Sequence, residues 1–599
     1  MSATFSRTLW EQINTALHKP FLQLTDRAYS YRALARGIRP WCAVFDRHAL
    51  AAGDRLVIVC EDDMLAATVF LAALLDGKVP VMLNPESPID RLRAVCRVTE
   101  PALLVVADPD KRSQMQIGGF STLADMPRLP DARRRVLDRF RGAGRHSGPQ
   151  RDPGLTAGDD ALAYLLFTSG TTGEPSGVEI THGALQAHLA TLTRLFDYGA
   201  GSCIANPTPL SHTDGLTQGL LLSASNGARL LRPGRFALDH LEPWLDQFSR
   251  HGATHFITNP TILALIEQFA HHDDYFTFEG FRAVISSAAV LRSALWSAFE
   301  KRFNCPLYNL YGMTETVANA TYAGRHPQMG KPGTIGVPID CQARIVDPAD
   351  GVTPTQGPGE LQLRGAHICR GYWRDPERNR ASFVEGGWFR TGDLVCRDAG
   401  GNLEFIGRLK SMINSGGLSI APQEIDEALL RHPAVIEAVT VGVPHAEFEE
   451  IAVSAVVLDR DLTPEQLLAH ARQWLEPLKV PKQIVPVDHI PRGEAGKPDL
   501  VRLRTELQGA AGERGVREGQ AQGNRVSMRE VVELAARVFN LDPASLSAQT
   551  SPATLAAWDS FNHLTLVLEA EQAFGLIIPT AAIAGIGSLG ELHETVCRS

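Results

Sequence analysis

Residues 165–178 read LLFTSGTTGEPSGV. The apolar run 162–167 predicts a buried strand that ends in a loop of glycines and hydroxylated residues. Gly170, Gly173 and Gly177 allow positive φ and a close approach of backbone to a ligand. Successive N–H groups of such a loop form an anion-binding concavity, although the spacing is not that of a G-x-x-x-x-G-K-[ST] loop. The stretch therefore predicts a strand that leads into an anion-binding turn.

Length, charge and cysteine content set the class of protein. A chain of 599 residues is too long for one hydrophobic core, and its net charge of −9 offers no basic footprint for nucleic acid. The nine cysteines form no C-x-x-C pair, which favours reduced thiols. The longest apolar run, 64–75, is too short to cross a bilayer, and the first 20 residues lack a signal-peptide pattern. We expect a cytoplasmic protein with no membrane span and no nucleic-acid partner.

The alternation of helical patterns with short apolar runs predicts a layered α/β fold with a largely parallel sheet. The predicted strands lie at 56–60, 79–83, 103–107, 228–231, 255–258, 283–286, 342–346, 360–363, 438–443 and 451–458. Residues 141–160 predict an exposed connection, and the texture becomes β-rich at 333–407.

The composition also indicates domain boundaries. A large domain is predicted at 1–407, a compact α+β segment at 408–507, a flexible linker at 508–525 and a small helical domain at 526–599. The apolar spacing of three and four in the last segment is typical of packed helices.

Four further motifs follow the glycine loop in order. They are YNLYGMTET (308–316), WFRTGDL (388–394), GRLKSMINSGGLSIAPQEI (407–425) and PRGEAGK (491–497). With the first stretch, this set resembles the signature of adenylate-forming enzymes, which include acyl-CoA synthetases, aryl and fatty acyl ligases and the adenylation domains of nonribosomal peptide synthetases. The resemblance covers about residues 5–507. It implies an ATP- and acid-binding domain joined to a small mobile domain.

The resemblance implies that a carboxylate attacks the α-phosphate of ATP and that a thiol then takes the acyl group. Positioning and charge neutralisation of the phosphates are the main demands of the first step. The loop would hold the β- and γ-phosphates, the ring of Tyr311 would pack against adenine, and Asp393 and Arg408 would support the ribose. The implied ATP-binding residues are Thr168, Ser169, Gly170, Thr171, Thr172, Gly173, Tyr311, Asp393 and Arg408.

Three residues are implied to act in catalysis. Thr314 would donate to the α-phosphate, and Glu315 would hold Mg²⁺, which prefers carboxylate oxygen. Lys497 would stabilise charge that develops during adenylation. Lys410 would be the hinge about which the small domain rotates between the two half-reactions.

The chain departs from the family pattern at two places. The glycine loop of the family usually contains Pro-Lys-Gly, whereas residues 175–177 here are Pro-Ser-Gly, so that Ser176 removes a positive charge. The Gly-Gly-Ala strand end of the family is replaced by Ser287-Ala288-Ala289, which should narrow the wall shared by substrate and adenine.

Residues 526–599 resemble an acyl or peptidyl carrier protein. Ser560 matches the serine that takes 4′-phosphopantetheine, and the free N–H groups of a helix N-terminus would stabilise its phosphodiester. The resemblance implies a phosphopantetheinyl transferase as a partner, and a downstream nonribosomal peptide or polyketide synthase or another acyl-accepting enzyme. The linker would give the carrier a high effective concentration at its own adenylation site.

The region 207–219, PTPLSHTDGLTQG, is more like the P-L-x-H-x-x-G of acyl-activating relatives than like amino-acid-activating ones. An acid without an α-amino group is therefore favoured, although Asp214 leaves an ammonium anchor open. The predicted pocket residues are His212, Thr213, Gly215, Asn259, Ser287 and Tyr308.

The leading hypothesis is an acyl-adenylating ligase that loads its own carrier domain. Three alternatives remain: an amino-acid-activating adenylation–carrier didomain, an acyl-CoA ligase that uses free coenzyme A, and a weakly catalytic scaffold that presents a carrier. Ser176 is the only support for the last of these.

Overall fold

In the computed structural model the chain divides into two compact units, and the division falls between Lys410 and Ser411, next to the predicted hinge residue. The residues that the structure describes are 4–115, 121–122, 150–168, 175–355, 358–415, 418–445, 449–460, 462–476, 479–492, 498–517, 526–539, 541–552, 554–555, 558, 566–567, 569–570, 573–574, 578 and 586–598.

The first unit contains a nine-stranded sheet, whose six central strands are parallel. In spatial order its strands are Val337–Pro338, Thr321–Ala323, Leu307–Tyr311, Ala283–Ser286, His255–Thr258, Cys203–Ala205, Arg229–Arg232, Pro20–Leu24 and Ala28–Ser30. The parallel strands place their carboxyl ends at one edge, where ligands bind in open α/β sheets.

A seven-stranded sheet lies in the same unit. Its order is Gly371–Tyr372, Ser176–Thr181, Leu162–Thr168, Val79–Leu83, Arg55–Val59, Leu103–Val106 and Ser121–Thr122. The predicted strands at 56–60, 79–83 and 103–107 are confirmed within one residue and are parallel. Leu162–Thr168 pairs with Ser176–Thr181 in antiparallel fashion, so the glycine loop connects a β-hairpin, which the sequence did not predict.

A smaller antiparallel sheet completes the strands of the first unit. It consists of Cys341–Val346, Gly359–Gly365, Trp388–Arg397, Phe383–Val384 and Leu403–Arg408. It accounts for the predicted β-rich texture after residue 333.

The α-helices of the first unit are Phe5–Thr15, Tyr31–Arg47, Asp63–Leu75, Ile89–Thr99, Pro109–Gln114, His182–Phe196, Leu222–Asn226, Leu241–Arg250, Pro260–Phe269, Ser293–Phe303 and Pro376–Ser382. A π-helix spans Asp214–Leu221, and short 3₁₀ turns lie at Leu238–His240, Thr314–Thr316 and Leu409–Ser411. Asp63–Leu75 begins where Asp62 accepts the N–H of Leu65 at 2.8 Å, and all of its residues except Asp63 and Leu65 are buried.

One hydrophobic cluster joins the two large sheets. It includes Ile58 and Leu166 from the seven-stranded sheet and Ile257 and Leu310 from the nine-stranded sheet, together with the buried helix Asp63–Leu75. The predicted buried helix at 64–75 is therefore confirmed, and among the described residues no helix combines the length and the apolarity needed to cross a membrane.

The second unit has its own five-stranded sheet, with strands Leu418–Ile420, Ile413–Ser415, Glu449–Leu458, Val435–His445 and Gln483–Pro486. Its helices are Pro422–Leu430, Pro464–Ala471, Leu500–Arg517, Met528–Phe539 and Leu589–Arg598, and a 3₁₀ turn lies at Pro543–Ser545. From residue 526 onward, a separate hydrophobic cluster forms around Trp558.

The predicted linker 508–525 is shorter than the composition indicated. The helix Leu500–Arg517 extends ten residues past Leu507. This extension contains no proline, although its three glycines disfavour a helix. Residues 518–525 lie outside the described residues.

Gly177 also has a role that differs from the predicted one. Its φ is not positive; it lies inside a strand, and a Cβ atom there would be 2.8 Å from Cζ of Phe167. The glycine is thus required because the ring of its cross-strand partner Phe167 covers it.

A cluster of charged residues around the buried Asp76 holds the end of the predicted connection 141–160 against the first unit. The Arg151 guanidinium donates to both oxygens of Asp76 at 2.7 and 2.8 Å, and the N–H of Gly154 donates to Oδ1 at 2.8 Å. Lys78 Nζ lies 3.2 Å from Asp76 Oδ2. Burial opposes ionisation of Asp76, but these hydrogen bonds and charges outweigh it and lower its pKa.

We expect Asp76→Asn to destabilise the protein by about 2–4 kcal/mol at pH 7, because it removes one partner of a buried charge cluster. A carboxyl group whose pKa is lowered in the folded state stabilises the fold fully above its unfolded-state pKa of about 3.9. This stabilisation is lost as the pH falls from that value through the folded-state pKa. Urea unfolding from pH 7 to pH 3.5 should therefore show a difference between wild type and variant that shrinks below about pH 4. Asp90→Asn removes an exposed ion pair with Arg93 and serves as the control, with an effect under about 1 kcal/mol. A difference that stays constant over this pH range would contradict the assignment.

Candidate functional site

The segment that follows the strand Leu307–Tyr311 carries the acidic centre of the site. Glu315 lies in the 3₁₀ turn Thr314–Thr316, is 7% exposed, and accepts a hydrogen bond from the Tyr372 hydroxyl at 2.7 Å through Oε1. Its backbone oxygen accepts the N–H of Cys369 at 2.7 Å. The predicted magnesium ligand is therefore held at both its side chain and its backbone.

The backbone around this turn is tightly constrained. A Cβ atom at Gly312 would lie 2.1 Å from the carbonyl oxygen of Ala318, so only glycine fits there. Val317 has φ of +61°, a conformation that is strained for a β-branched residue and that is found mainly at functional sites.

Tyr372 and Arg378 were not predicted from the sequence. Arg378 lies on the helix Pro376–Ser382, its guanidinium stands 4.0 Å above the ring of Tyr372, and its nitrogen is 4.0 Å from Oε1 of Glu315. Asp375 and Pro376 mark the start of this helix in the sequence, but no local pattern indicates that it lies beside Glu315.

A second contact joins this turn to the predicted acid pocket. The hydroxyls of Thr213 and Thr314 lie 3.1 Å apart, and Thr213 immediately precedes the π-helix Asp214–Leu221. π-Helical turns are uncommon and occur frequently at functional sites. Two predicted residues from distant motifs, one for the acid and one for the α-phosphate, are thus in direct contact.

The histidine of this region has a defined tautomer. The backbone N–H of Asp214 donates to Nδ1 of His212 at 3.2 Å, so the neutral ring carries its proton on Nε2. Gly215 is needed for packing, because a Cβ atom would lie 2.2 Å from the carbonyl oxygen of Pro209.

The Asp214 carboxylate is enclosed by its own helix. Its side chain is 9% exposed, and the Gln218 amide donates to Oδ1 at 2.5 Å. Oδ2 is 3.7 Å from Nδ1 of His212. An incoming ammonium group would therefore compete with partners that the carboxylate already has.

The predicted adenine and ribose residues form a third group. The Tyr311 hydroxyl donates to Oδ2 of Asp393 at 2.6 Å, and Nε of Arg408 is 3.2 Å from Oδ1. Asp393 and Arg408 face each other across neighbouring strands. Asp393 is 1% exposed, whereas the side chain of Arg408 is largely exposed.

One side of Tyr311 packs against the apolar cluster that includes Ile335 and Leu361, while the residue keeps part of its surface exposed. Burial and the charge of Asp393 raise the pKa of Tyr311, and burial and the charge of Glu315 raise the pKa of Tyr372. Both phenols stay protonated and act as hydrogen-bond donors to carboxylates.

Two predicted pocket residues have other contacts. Asn259 caps the helix Pro260–Phe269, since its side chain accepts the N–H of Ile262 at 3.0 Å. Tyr308 packs edge-on against Phe196, with ring centres 5.3 Å apart. These contacts give both side chains structural roles, and a role in acid binding stays a prediction.

The departure at 287–289 has a backbone consequence. Ser287 is buried at the end of the strand Ala283–Ser286, and its N–H donates to the carbonyl of Thr258 at 3.0 Å. Ala288 has φ of +71°, the left-handed region in which an alanine costs about 1 kcal/mol relative to glycine. The glycine of the family pattern matches this conformation, and the alanine here is strained.

Several predicted residues lie outside the described part of the chain. They are Ser169, Gly170, Thr171, Thr172, Gly173, Lys497 and Ser560, and the side chain of Thr168 is also outside it. Thr168 ends the first strand of the hairpin, opposite Ser176, and Lys410 is the last residue of the first unit before the division.

The donor set fits a magnesium ion that is held jointly with a nucleotide. Among the described residues, no group of three or more histidine, cysteine or acidic side chains could hold a metal alone. Mg²⁺ is usually bound by one or two carboxylates together with substrate phosphates and water, and Glu315 offers one buried carboxylate at this position.

Comparisons with known proteins identify the family to which the chain belongs. The family model "AMP-binding enzyme" matches residues 9–373, and "AMP-binding enzyme C-terminal domain" matches residues 424–497. Sulfoacetate–CoA ligase of Cupriavidus necator is 36% identical over 346 residues, which are 57% of this chain and 67% of that protein. Oxalate–CoA ligase of Saccharomyces cerevisiae is 28% identical over 528 residues, which are 83% of this chain and 95% of that protein.

A similar solved structure is ATP-bound MatB from Rhodopseudomonas palustris. It has a TM-score of 0.73 and 26% sequence identity, and the match covers 85% of this chain and 99% of that one. The chain belongs to the AMP-binding enzymes, the adenylate-forming superfamily.

We expect Asp393→Asn to weaken AMP binding about 10- to 100-fold, because hydrogen bonds to a charged group contribute about 1.5–3 kcal/mol. Isothermal titration with AMP measures the effect. Asp398→Asn is the matched control: Asp398 lies just after the same strand, Trp388–Arg397, and pairs with Lys331 at 2.6 Å. Equal losses in both variants would show that Asp393 acts only through the stability of the sheet.

Proposed function

We propose that the protein is an ATP-dependent acid–thiol ligase that activates a carboxylic acid as its acyl-adenylate. The observation that carries the proposal is the contact between Thr213 and Thr314, which joins the acid side of the site to the turn that holds Glu315. An enzyme that brings a carboxylate to an α-phosphate needs such a junction.

In the first step, a carboxylate oxygen of the acid attacks the α-phosphorus of ATP, and the bond from that phosphorus to the oxygen of pyrophosphate breaks. Tyr311 offers its ring to adenine and Asp393 accepts from the ribose hydroxyls. Thr314 donates to the α-phosphate, and the Nε2–H of His212 faces the acid as a donor. Glu315 would hold Mg²⁺ together with the phosphates, and the ion supplies charge neutralisation.

Lys497 enters the proposal from the family pattern alone. A cation at the reacting carboxylate and α-phosphate stabilises the charge that develops there. In the second step the thiol sulfur attacks the acyl carbon, AMP leaves with the bonding electrons, and the proton of the thiol is released.

The acceptor thiol has two candidates. Free coenzyme A is the first, because the similar enzymes are named as CoA ligases, and the match to one of them, the oxalate–CoA ligase, covers 83% of this chain. These relatives share coenzyme A as the named acceptor, whereas the acids in their names differ.

The second candidate is a phosphopantetheine thiol on Ser560 of the same chain. It is supported by the hydrophobic cluster around Trp558, formed by residues that lie after both family matches, and by the helices Met528–Phe539 and Leu589–Arg598. Under this candidate, the product remains covalently attached and passes to a downstream acyl-accepting enzyme.

We propose a short acid without an α-amino group as the substrate. The Asp214 carboxylate is enclosed by Gln218, which disfavours its use as an ammonium anchor. Oxalate and sulfoacetate, the acids named for two relatives, are short and carry a second anionic group.

The decisive experiment is a pyrophosphate-release assay with ATP, Mg²⁺ and a panel of oxalate, sulfoacetate, octanoate, benzoate, glycine and alanine, with and without coenzyme A. We expect release with the short anionic acids and acyl-CoA as product. Release only with amino acids would favour the didomain alternative, and no release with any acid would favour a scaffold.

The two acceptors are separated by intact-mass spectrometry of protein that has been treated with a phosphopantetheinyl transferase. Acyl-CoA formation that persists in Ser560→Ala supports free coenzyme A. Loading of the chain itself is supported by an acyl mass added on top of phosphopantetheine in the wild type. Ser560→Ala should abolish this acyl mass, and little coenzyme A should be turned over.

A further inference from the structure

The strand after the glycine loop lacks a cation at the position where the family pattern has one. Ser176 begins the strand Ser176–Thr181, and its buried hydroxyl has no hydrogen-bond partner among the described residues. The phosphates of ATP carry about four negative charges, which require compensation in a partly buried site.

The strand Gly371–Tyr372 pairs with the strand that begins at Ser176, and it is followed by a helix that carries a different cation. Tyr372 pairs with Val178, and the N–H of Trp373 donates to the carbonyl of Gly177 at 2.7 Å. Val178 and Ser176 are two residues apart on their strand, and each residue advances about 3.4 Å. Tyr372 therefore lies about 7 Å along the sheet from the position opposite Ser176. The helix Pro376–Ser382 then places Arg378 over the ring of Tyr372.

Arg378 has a contact that nucleotide binding would change. Its guanidinium is 4.0 Å from Oε1 of Glu315, and its side chain is 34% exposed, so one side of the group remains accessible. When Glu315 is engaged by a nucleotide-bound metal, the positive charge of Arg378 is left without this carboxylate. The phosphates of the bound nucleotide would then be available as partners for this charge.

We propose that Arg378 is a phosphate-binding residue that contacts the β- or γ-phosphate of ATP and supplies the positive charge that Ser176 does not. The inference rests on the proposed use of ATP. Stacking on Tyr372 holds the guanidinium in place before the ligand arrives, which lowers the entropic cost of forming the contact.

The test is titration of Arg378→Met with three ligands in the presence of Mg²⁺: ATP, pyrophosphate and AMP. We expect binding of ATP and pyrophosphate to weaken about 10- to 50-fold, the range for loss of a charge-assisted contact, and AMP binding to stay within twofold. AMP lacks the two outer phosphates but uses the same Tyr311 and Asp393 contacts. Arg378→Lys should recover part of the loss for ATP, because a point charge replaces the planar fork.

Arg374→Met is the matched control. Arg374 belongs to the same segment, lies over the ring of Trp373 at 5.4 Å and pairs with Glu100 at 2.7 Å. We expect its affinities for all three ligands to equal those of the wild type. Equal weakening of AMP and ATP in Arg378→Met would assign the residue a structural role and overturn the proposal, as would unchanged ATP binding. If the wild type itself does not bind ATP, the proposed function fails instead.

Discussion

A buried carboxylate needs partners, and the geometry around Glu315 follows from that requirement. The side chain is almost fully buried, so an uncompensated charge would be costly, and the Tyr372 hydroxyl and the Arg378 guanidinium are the groups that meet it. Tyr372 reaches this position because its strand pairs with Ser176–Thr181. The strand Ser176–Thr181, which follows the glycine loop, is therefore paired with the segment whose Tyr372 contacts Glu315.

The other anchors are placed on equally rigid elements. Thr213 is held at the start of a π-helix, whose geometry depends on a glycine at 215. Tyr311 packs against an apolar cluster that includes residues of the small antiparallel sheet. Its hydroxyl donates a hydrogen bond to Asp393, which lies on that sheet. Because each anchor is fixed before a ligand binds, little side-chain entropy remains to be lost on binding.

Much of this could be predicted from the sequence, because parallel strands are continuous apolar runs and motif residues follow their ends. The strands His255–Thr258 and Ala283–Ser286 were predicted with the bounds that the structure has. The hairpin whose two strands flank the glycine loop was not predicted. Buried and exposed positions alternate only weakly along Ser176–Thr181, and strand pairing depends on tertiary contacts. For the same reason, no sequence pattern could place Arg378 beside Glu315.

Two residues also have local structural roles that the sequence prediction did not include. Asn259 precedes Pro260 and is a helix cap, a role that the dipeptide itself indicates. Gly177 resembled a glycine with positive φ, yet the ring of Phe167 is the reason for it. In both cases a local steric or hydrogen-bonding demand accounts for the residue type at that position, and the role of Asn259 in acid binding stays a prediction.

The position of a cation determines how it can act on a nucleotide. A lysine on a glycine-rich loop keeps many rotamers and is ordered only when phosphate binds. A guanidinium that is stacked on a tyrosine and attached to a capped helix is ordered in advance, and its planar donors match two phosphate oxygens. In the free protein the same guanidinium lies 4.0 Å from Glu315 and partly offsets its charge. Under the role proposed for Arg378, the acidic centre and the phosphates would use this one positive charge in turn. The helix would then supply the charge that Ser176 does not.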